Sequence, residues 1–203
     1  MYLIFTFLLA LTLMTLPATA KTMLALGDSL TAGYGLDAGR AMPDVLQATL
    51  QKTGVEVKIL NAGVSGDTAA QGAARLDWAL TPDVEGIILE LGANDALRGL
   101  PPEQTEQALR QILDKAKLKN LPVLILGMKA PPNLGEDYRA KFDHIYEHLA
   151  AEYHQPIYPF YLDGVAGQRD LNQQDGIHPN DKGVTIIVSR MMPIVEDFVS
   201  RLP

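Results

Sequence analysis

The chain has 203 residues, 47% of them apolar, which is enough for one well-packed domain and short for two. Its formal charge is -7 with Lys and Arg scattered among acidic residues, so there is no basic stripe on which nucleic acid would dock. It has no cysteine, which excludes disulfides, thiolate metal sites and a cysteine nucleophile and leaves the redox compartment open.

The first twenty residues, MYLIFTFLLALTLMTLPATA, carry no charged side chain, and their apolar run over 3–16 is too short to span a bilayer comfortably. With Pro17 and the small residues Ala18, Thr19 and Ala20 after it, the segment reads as a signal peptide cleaved before Lys21, although no Lys or Arg opens it. The expectation is an exported product, periplasmic or secreted, with no stable membrane anchor after cleavage and one catalytic-size domain over 21–203.

From there short β-rich runs alternate with segments of helical period. That alternation predicts an α/β fold, a mostly parallel five-stranded sheet covered by helices on both faces. Candidate strands are 22–26, 56–61, 86–91, 122–128 and a weak one at 157–160; the third and fourth are continuously apolar, as doubly covered strands are. Met42, Val45, Leu46 and Leu50 follow helical spacing, as do Leu109, Ile112, Leu113 and Ala116, and then Tyr138, Phe142, Ile145, Tyr146 and Leu149. A last helix begins near Asn180 or Asp181 and runs through Ile187, Met191 and Phe198, with Pro193 as a kink. No repeat or composition shift marks a second domain.

In such sheets ligands bind beyond the carboxyl ends of the strands. Four loops there carry chemistry: GDSLTAGYG after the first strand, NAGVSGDT after the second, LGANDALRG after the third, and DGIHPND late in the chain. Asp175 and His178 stand three residues apart, with Gly176 permitting a sharp turn between them, so a carboxylate can hold the imidazole in one tautomer; equally, Asp175 can cap a turn beside an ordinary surface histidine. Ser29 lies just past a buried strand, but Thr31 breaks the G-x-S-x-G pattern, and the stretch around Ser65 also misses it. Asp28 and Ser29 can as well cap a short helix, which is the role expected of Asp28. Gly63 offers a backbone N–H with no side chain in the way and Asn94 a side-chain amide, the donors a tetrahedral oxyanion needs; a tight turn and a turn cap with Asp95 are the plainer alternatives. His144 and His148 have a metal-compatible spacing, but Ile145 stands where a metalloprotease helix has glutamate, and with His154 they read as a solvated helix face.

Taken together and in this order, the four loops resemble the motif blocks of the SGNH hydrolases, the GDSL esterase/lipase family. The segments SGDT, LRGLPPEQTEQALRQIL and DGIHPN are similar to its bacterial exported thioesterase/lysophospholipase/arylesterase group. The resemblance implies a three-layer α/β/α, flavodoxin-like fold and a serine hydrolase of acyl esters and thioesters. It assigns Ser29 as nucleophile, Asp175 and His178 as its triad partners, and Ser29, Gly63 and Asn94 as the oxyanion hole. It implies no metal or organic cofactor, no nucleic-acid or protein partner, and a small acyl ester or lipid as substrate. Ala93 departs from the second glycine expected before Asn94. Leu97, Leu100 and Leu134 are candidates for an apolar acyl groove, or else anchors of their loops. A polysaccharide O-deacetylase with the same triad, and a non-catalytic flavodoxin-like binding module, are the competing readings.

Overall fold

The computed structural model describes residues 20–203. The expected signal peptide falls almost wholly outside the described residues. Strand β1 (Lys21–Gly27) leads through the one-turn helix α1 (Ser29–Ala32) and helix α2 (Met42–Lys52) to β2 (Val57–Gly63). Helix α3 (Ala69–Ala79) leads to β3 (Gly86–Glu90), and α4 (Ala93–Leu97) with α5 (Pro102–Leu118) to β4 (Val123–Leu126). After α6 (Glu136–Tyr153) come β5 (Ile157–Tyr158) and α7 (Asp181–Ser200).

The sheet has the order β2-β1-β3-β4-β5 and is parallel at every pairing. All five residues of β3 and all four of β4 are buried, because helices cover both faces; the edge strand β2 exposes Lys58 and Asn61. The weak fifth strand shrinks to two residues. It sits between Pro156 and Pro159, and a proline has no N–H to give a ladder. Helices α2 and α7 pack together on one face, while α3, α5 and α6 pack in series on the other. The chain leaves β1 toward β2 and then crosses back to β3, so the switch point of the sheet lies at the carboxyl ends of β1 and β3.

Helix α3 has no counterpart among the helices the apolar spacing picks out. Its buried stripe is Ala69, Gly72, Ala73 and Leu76, too small-sided to register as amphipathic, and its start is fixed by a reciprocal capping box between Thr68 and Gln71. Helix α7 begins where expected: the Asn180 side chain accepts from the N–H groups of Lys182 and Gly183. It runs through Pro193 to Ser200 without a break.

Candidate active site

The site forms on the rim above β1 and β3. Ser29 is the first residue of α1, immediately after the buried Asp28, whose Oδ1 accepts the Leu30 N–H at 3.0 Å. Asp28 is thus the cap the sequence predicts, and it does more than cap: its Oδ2 accepts the side-chain amide of Asn94 at 3.0 Å. One carboxylate therefore fixes the serine turn and aims the Asn94 carboxamide. The neighbouring Asp95 is buried and holds the Ala69 N–H at 2.8 Å and the Thr105 hydroxyl at 3.1 Å, locking α3, α4 and α5 around Asn94.

Asp175 and His178 come to the same place from the far end of the chain. Asp175 Oδ1 accepts the N–H groups of Ile177 and His178, and its Oδ2 lies 2.7 Å from His178 Nδ1. The other ring nitrogen, Nε2, lies 2.9 Å from Ser29 Oγ. With the carboxylate ionised, Nδ1 carries the proton and Nε2 accepts from the Ser29 hydroxyl. Burial pushes the Asp175 carboxyl up, but the hydrogen bonds from the His178 ring and from the two N–H groups more than reverse this and hold it at about 2. It is a carboxylate at any working pH.

Behind the serine the balance is opposite. Burial dominates at Asp28 and raises it to about 6, against hydrogen bonds from Leu30 and Asn94 that favour the charge. Beneath it Glu90, wholly buried at the end of β3, accepts the Thr31 hydroxyl at 2.7 Å and the Asp28 N–H at 3.3 Å. Burial, and then the charge of Asp28, push Glu90 well above the ordinary carboxyl range. Of this buried acidic pair, Glu90 is the more deeply buried and is pushed up by burial and by the Asp28 charge together.

The glycine expectation is corrected here. The Gly63 N–H donates to the Asn61 side chain at 2.9 Å, so it is not free for a ligand. Gly63 is glycine for another reason: a Cβ there would collide with the backbone of Ala32, because β2 and α1 approach closely. The glycine of this loop that lines the cavity with Ser29 and Asn94 is Gly66, at φ +89, where a Cβ would meet only the Arg98 guanidinium at an ordinary 3.8 Å. Among the described residues the Gly66 and Ser29 N–H groups donate to no other protein group.

Three further side chains hold the loops in register. Arg75 spans the carbonyls of Ala62 and Gly27 and the Asp67 carboxylate, at 2.8, 2.9 and 2.6 Å. Arg98 donates to the Gly66 carbonyl at 2.6 Å. Gln173 ties the two halves of the site, donating to the carbonyls of Tyr34 at 2.7 Å and Pro179 at 3.1 Å, while the Tyr34 ring leans on His178 with centroids 4.7 Å apart. Arg75 and Gln173 lie outside the motif segments, and Arg98 lies within one whose sequence does not name its partner, the Gly66 carbonyl.

Beside Ser29 opens a cavity of about 620 Å³, walled by Leu30, Leu97, Met128, Pro131, Phe160 and Ile177 among others. Leu97 lines it as expected. Leu100 and Leu134 do not: the Leu100 carbonyl takes the Tyr138 hydroxyl, and Leu134 packs on the core, so both anchor their loops. Ala93 opens α4 without a left-handed φ, and so replaces a glycine at no backbone cost. His144 and His148 are exposed and stack on each other at 5.7 Å, with His148 facing Glu106 and Glu152. Among the described residues there is no cluster of three metal-ligating side chains.

Residues 25–186 match the GDSL-like lipase/acylhydrolase family. The chain belongs to that family. It is 41% identical over 172 residues to the esterase TesA of Pseudomonas aeruginosa, covering 84% of this chain and 86% of that protein. To thioesterase 1/protease 1/lysophospholipase L1 of Escherichia coli K12 it is 40% identical over 197 residues, covering 97% and 92%. The crystal structure of AlinE4, an SGNH-hydrolase family esterase, superposes with a TM-score of 0.76 at 45% identity, covering 89% of this chain and 97% of that one. The α/β fold and its parallel sheet are those of the SGNH hydrolases, and the chain is a carboxylic ester hydrolase of that family.

Proposed function

We propose that this protein hydrolyses acyl esters and thioesters through an acyl-enzyme on Ser29. The observation that carries the reading is the unbroken line from Asp175 Oδ2 to His178 Nδ1 at 2.7 Å and from His178 Nε2 to Ser29 Oγ at 2.9 Å. In the first half-reaction His178 takes the Ser29 proton as Oγ attacks the acyl carbonyl, and the imidazolium is stabilised by Asp175. The oxyanion is met by the N–H groups of Ser29 and Gly66 and by the second amide hydrogen of Asn94, the first being held by Asp28. His178 then protonates the leaving alcohol or thiol. In the second half-reaction it removes a proton from water, which attacks the acyl-enzyme and frees the acid. Side chains and N–H groups carry every proton and charge.

The apolar cavity favours acyl chains beyond acetyl, and the names of the relatives, an esterase and a thioesterase/lysophospholipase, point to the same substrate class. The leader read from the sequence assigns the enzyme to the periplasm or beyond. Among the described residues no helix is long and apolar enough to cross a membrane. Initial rates on p-nitrophenyl esters from acetyl to palmitoyl, for the protein and for Ser29→Ala, test the proposal. Ser29-dependent turnover rising from acetyl to medium chains is the expected result. Turnover confined to acetyl esters would favour the polysaccharide deacetylase, and equal rates in both proteins would remove Ser29 from the mechanism.

A further inference from the structure

Among the described residues the cavity wall contains no Asp or Glu, in a chain whose net charge is -7. Its single Lys or Arg among the described residues is Lys129. Lys21, Lys58, Lys115 and Lys141 each lie against a carboxylate, while among the described residues Lys52, Lys117, Lys119, Lys129 and Lys182 have none within 4 Å. Lys129 instead rests its ammonium 5.2 Å from the centroid of the Phe160 ring, itself part of the wall. Lys129 is exposed, and Phe160, Pro131 and Pro132 line the same cavity, so its charge stands beside apolar wall. A cation on a low-dielectric wall attracts an anion more strongly than one in open solvent.

Its place in the sheet sets the reach. Lys129 follows β4 and Ser29 follows β1, with β3 between them. Two strand spacings separate them, roughly 10 Å along the rim. We propose that Lys129 selects acyl esters and thioesters that carry a phosphate or carboxylate at about that distance from the scissile carbonyl. The inference rests on Ser29 as the acyl nucleophile and adds the charge of the substrate. The anion can sit on the alcohol side, as a glycerol phosphate, or at the far end of the acyl chain, as a second carboxylate.

Two matched pairs separate these sources: lauroyl lysophosphatidate against monolauroylglycerol, and the p-nitrophenyl half-ester of suberic acid against p-nitrophenyl octanoate. The readout is the ratio of kcat/KM for the anionic over the neutral member. Lys129→Met lowers that ratio about fivefold in at least one pair, the pair affected naming the side on which the anion rides. Lys129→Glu lowers it further, Lys129→Arg restores it, and in the wild type the preference shrinks in about 0.5 M salt. If the ratio stays within twofold of wild type in both pairs for both Met and Glu, the inference is overturned. Neutral-ester turnover that survives Ser29→Ala overturns the acyl-enzyme reading and this inference with it. A Ser29-dependent enzyme whose ratio ignores Lys129 overturns this one alone.

Discussion

The two loops that meet at 2.9 Å between Ser29 and His178 are built by opposite means. The serine loop is buried on two carboxyls, Asp28 and Glu90, and is held by groups far apart in sequence, Asn94, Arg75 and Glu90, the last through Thr31. The histidine loop is largely local: Asp175 is about a third exposed and bonds Ile177 and His178, its own neighbours, and the bridge between Asn172 and Pro179 closes the turn. The same chemical group, a carboxylate, is therefore raised to about 6 at Asp28 and held at about 2 at Asp175. The buried one costs stability and fixes geometry; the exposed one keeps its charge cheaply and lends it to an imidazole.

If that contrast is right, the largest and most selective effect belongs to the exposed loop. His178→Ala lowers kcat by about 10⁴-fold or more, while the midpoint of thermal unfolding moves little, since the ring's named partners are Asp175, Ser29 and the exposed Tyr34 rather than core side chains. Rates and melting curves on one preparation check both halves. A fall in stability as large as the fall in rate would put the histidine loop among the core-building elements.

The two glycines sharpen the contrast. Gly63→Ala forces a Cβ into the Ala32 backbone and destabilises the fold by about 2 kcal/mol or more, with activity lost through unfolding. Gly66→Ala has room for the methyl but strains a left-handed φ at about 1–2 kcal/mol, and turns the peptide N–H away from the cavity. It reduces kcat while the protein still melts cooperatively. Reversed phenotypes would return Gly63 to the oxyanion hole.

The smallest effect concerns the buried acid. Because Asp28 is raised in the folded protein, the folded state binds the extra proton: this contribution to stability is full below pH ~4 and is lost as pH rises through about 6. Above that pH the buried charge is a cost. Asp28→Asn, which removes the charge but keeps an acceptor for Leu30 or Asn94, therefore raises the melting midpoint at pH 8 and loses that advantage at pH 4. Its kcat falls, because the Asn94 amide is aimed less firmly. A variant no more stable than wild type at pH 8 contradicts the account of this loop.

How far the sequence disclosed this molecule follows the same division. Strands β3 and β4 were legible because burial on both faces leaves apolar runs, interrupted in β3 only by Glu90, and the histidine loop because its contacts lie within three residues. Helix α3 was hidden because its buried stripe is made of Ala and Gly. Gly63 was picked from the sequence, and Gly66 was not, because direction is not written in a residue name: only the fold puts the Gly63 N–H on Asn61 and places Gly66 in the cavity wall. Arg75 and Gln173 act across 48 and 139 positions, a span over which spacing carries no signal.

The most direct test of the central claim is to quench turnover of a medium-chain p-nitrophenyl ester in acid and map the protein by peptide mass spectrometry. The account predicts one acyl group, on the peptide holding Ser29 at that residue, and none on Ser29→Ala. An acyl group on another residue, or undiminished turnover by Ser29→Ala with no adduct, would contradict it.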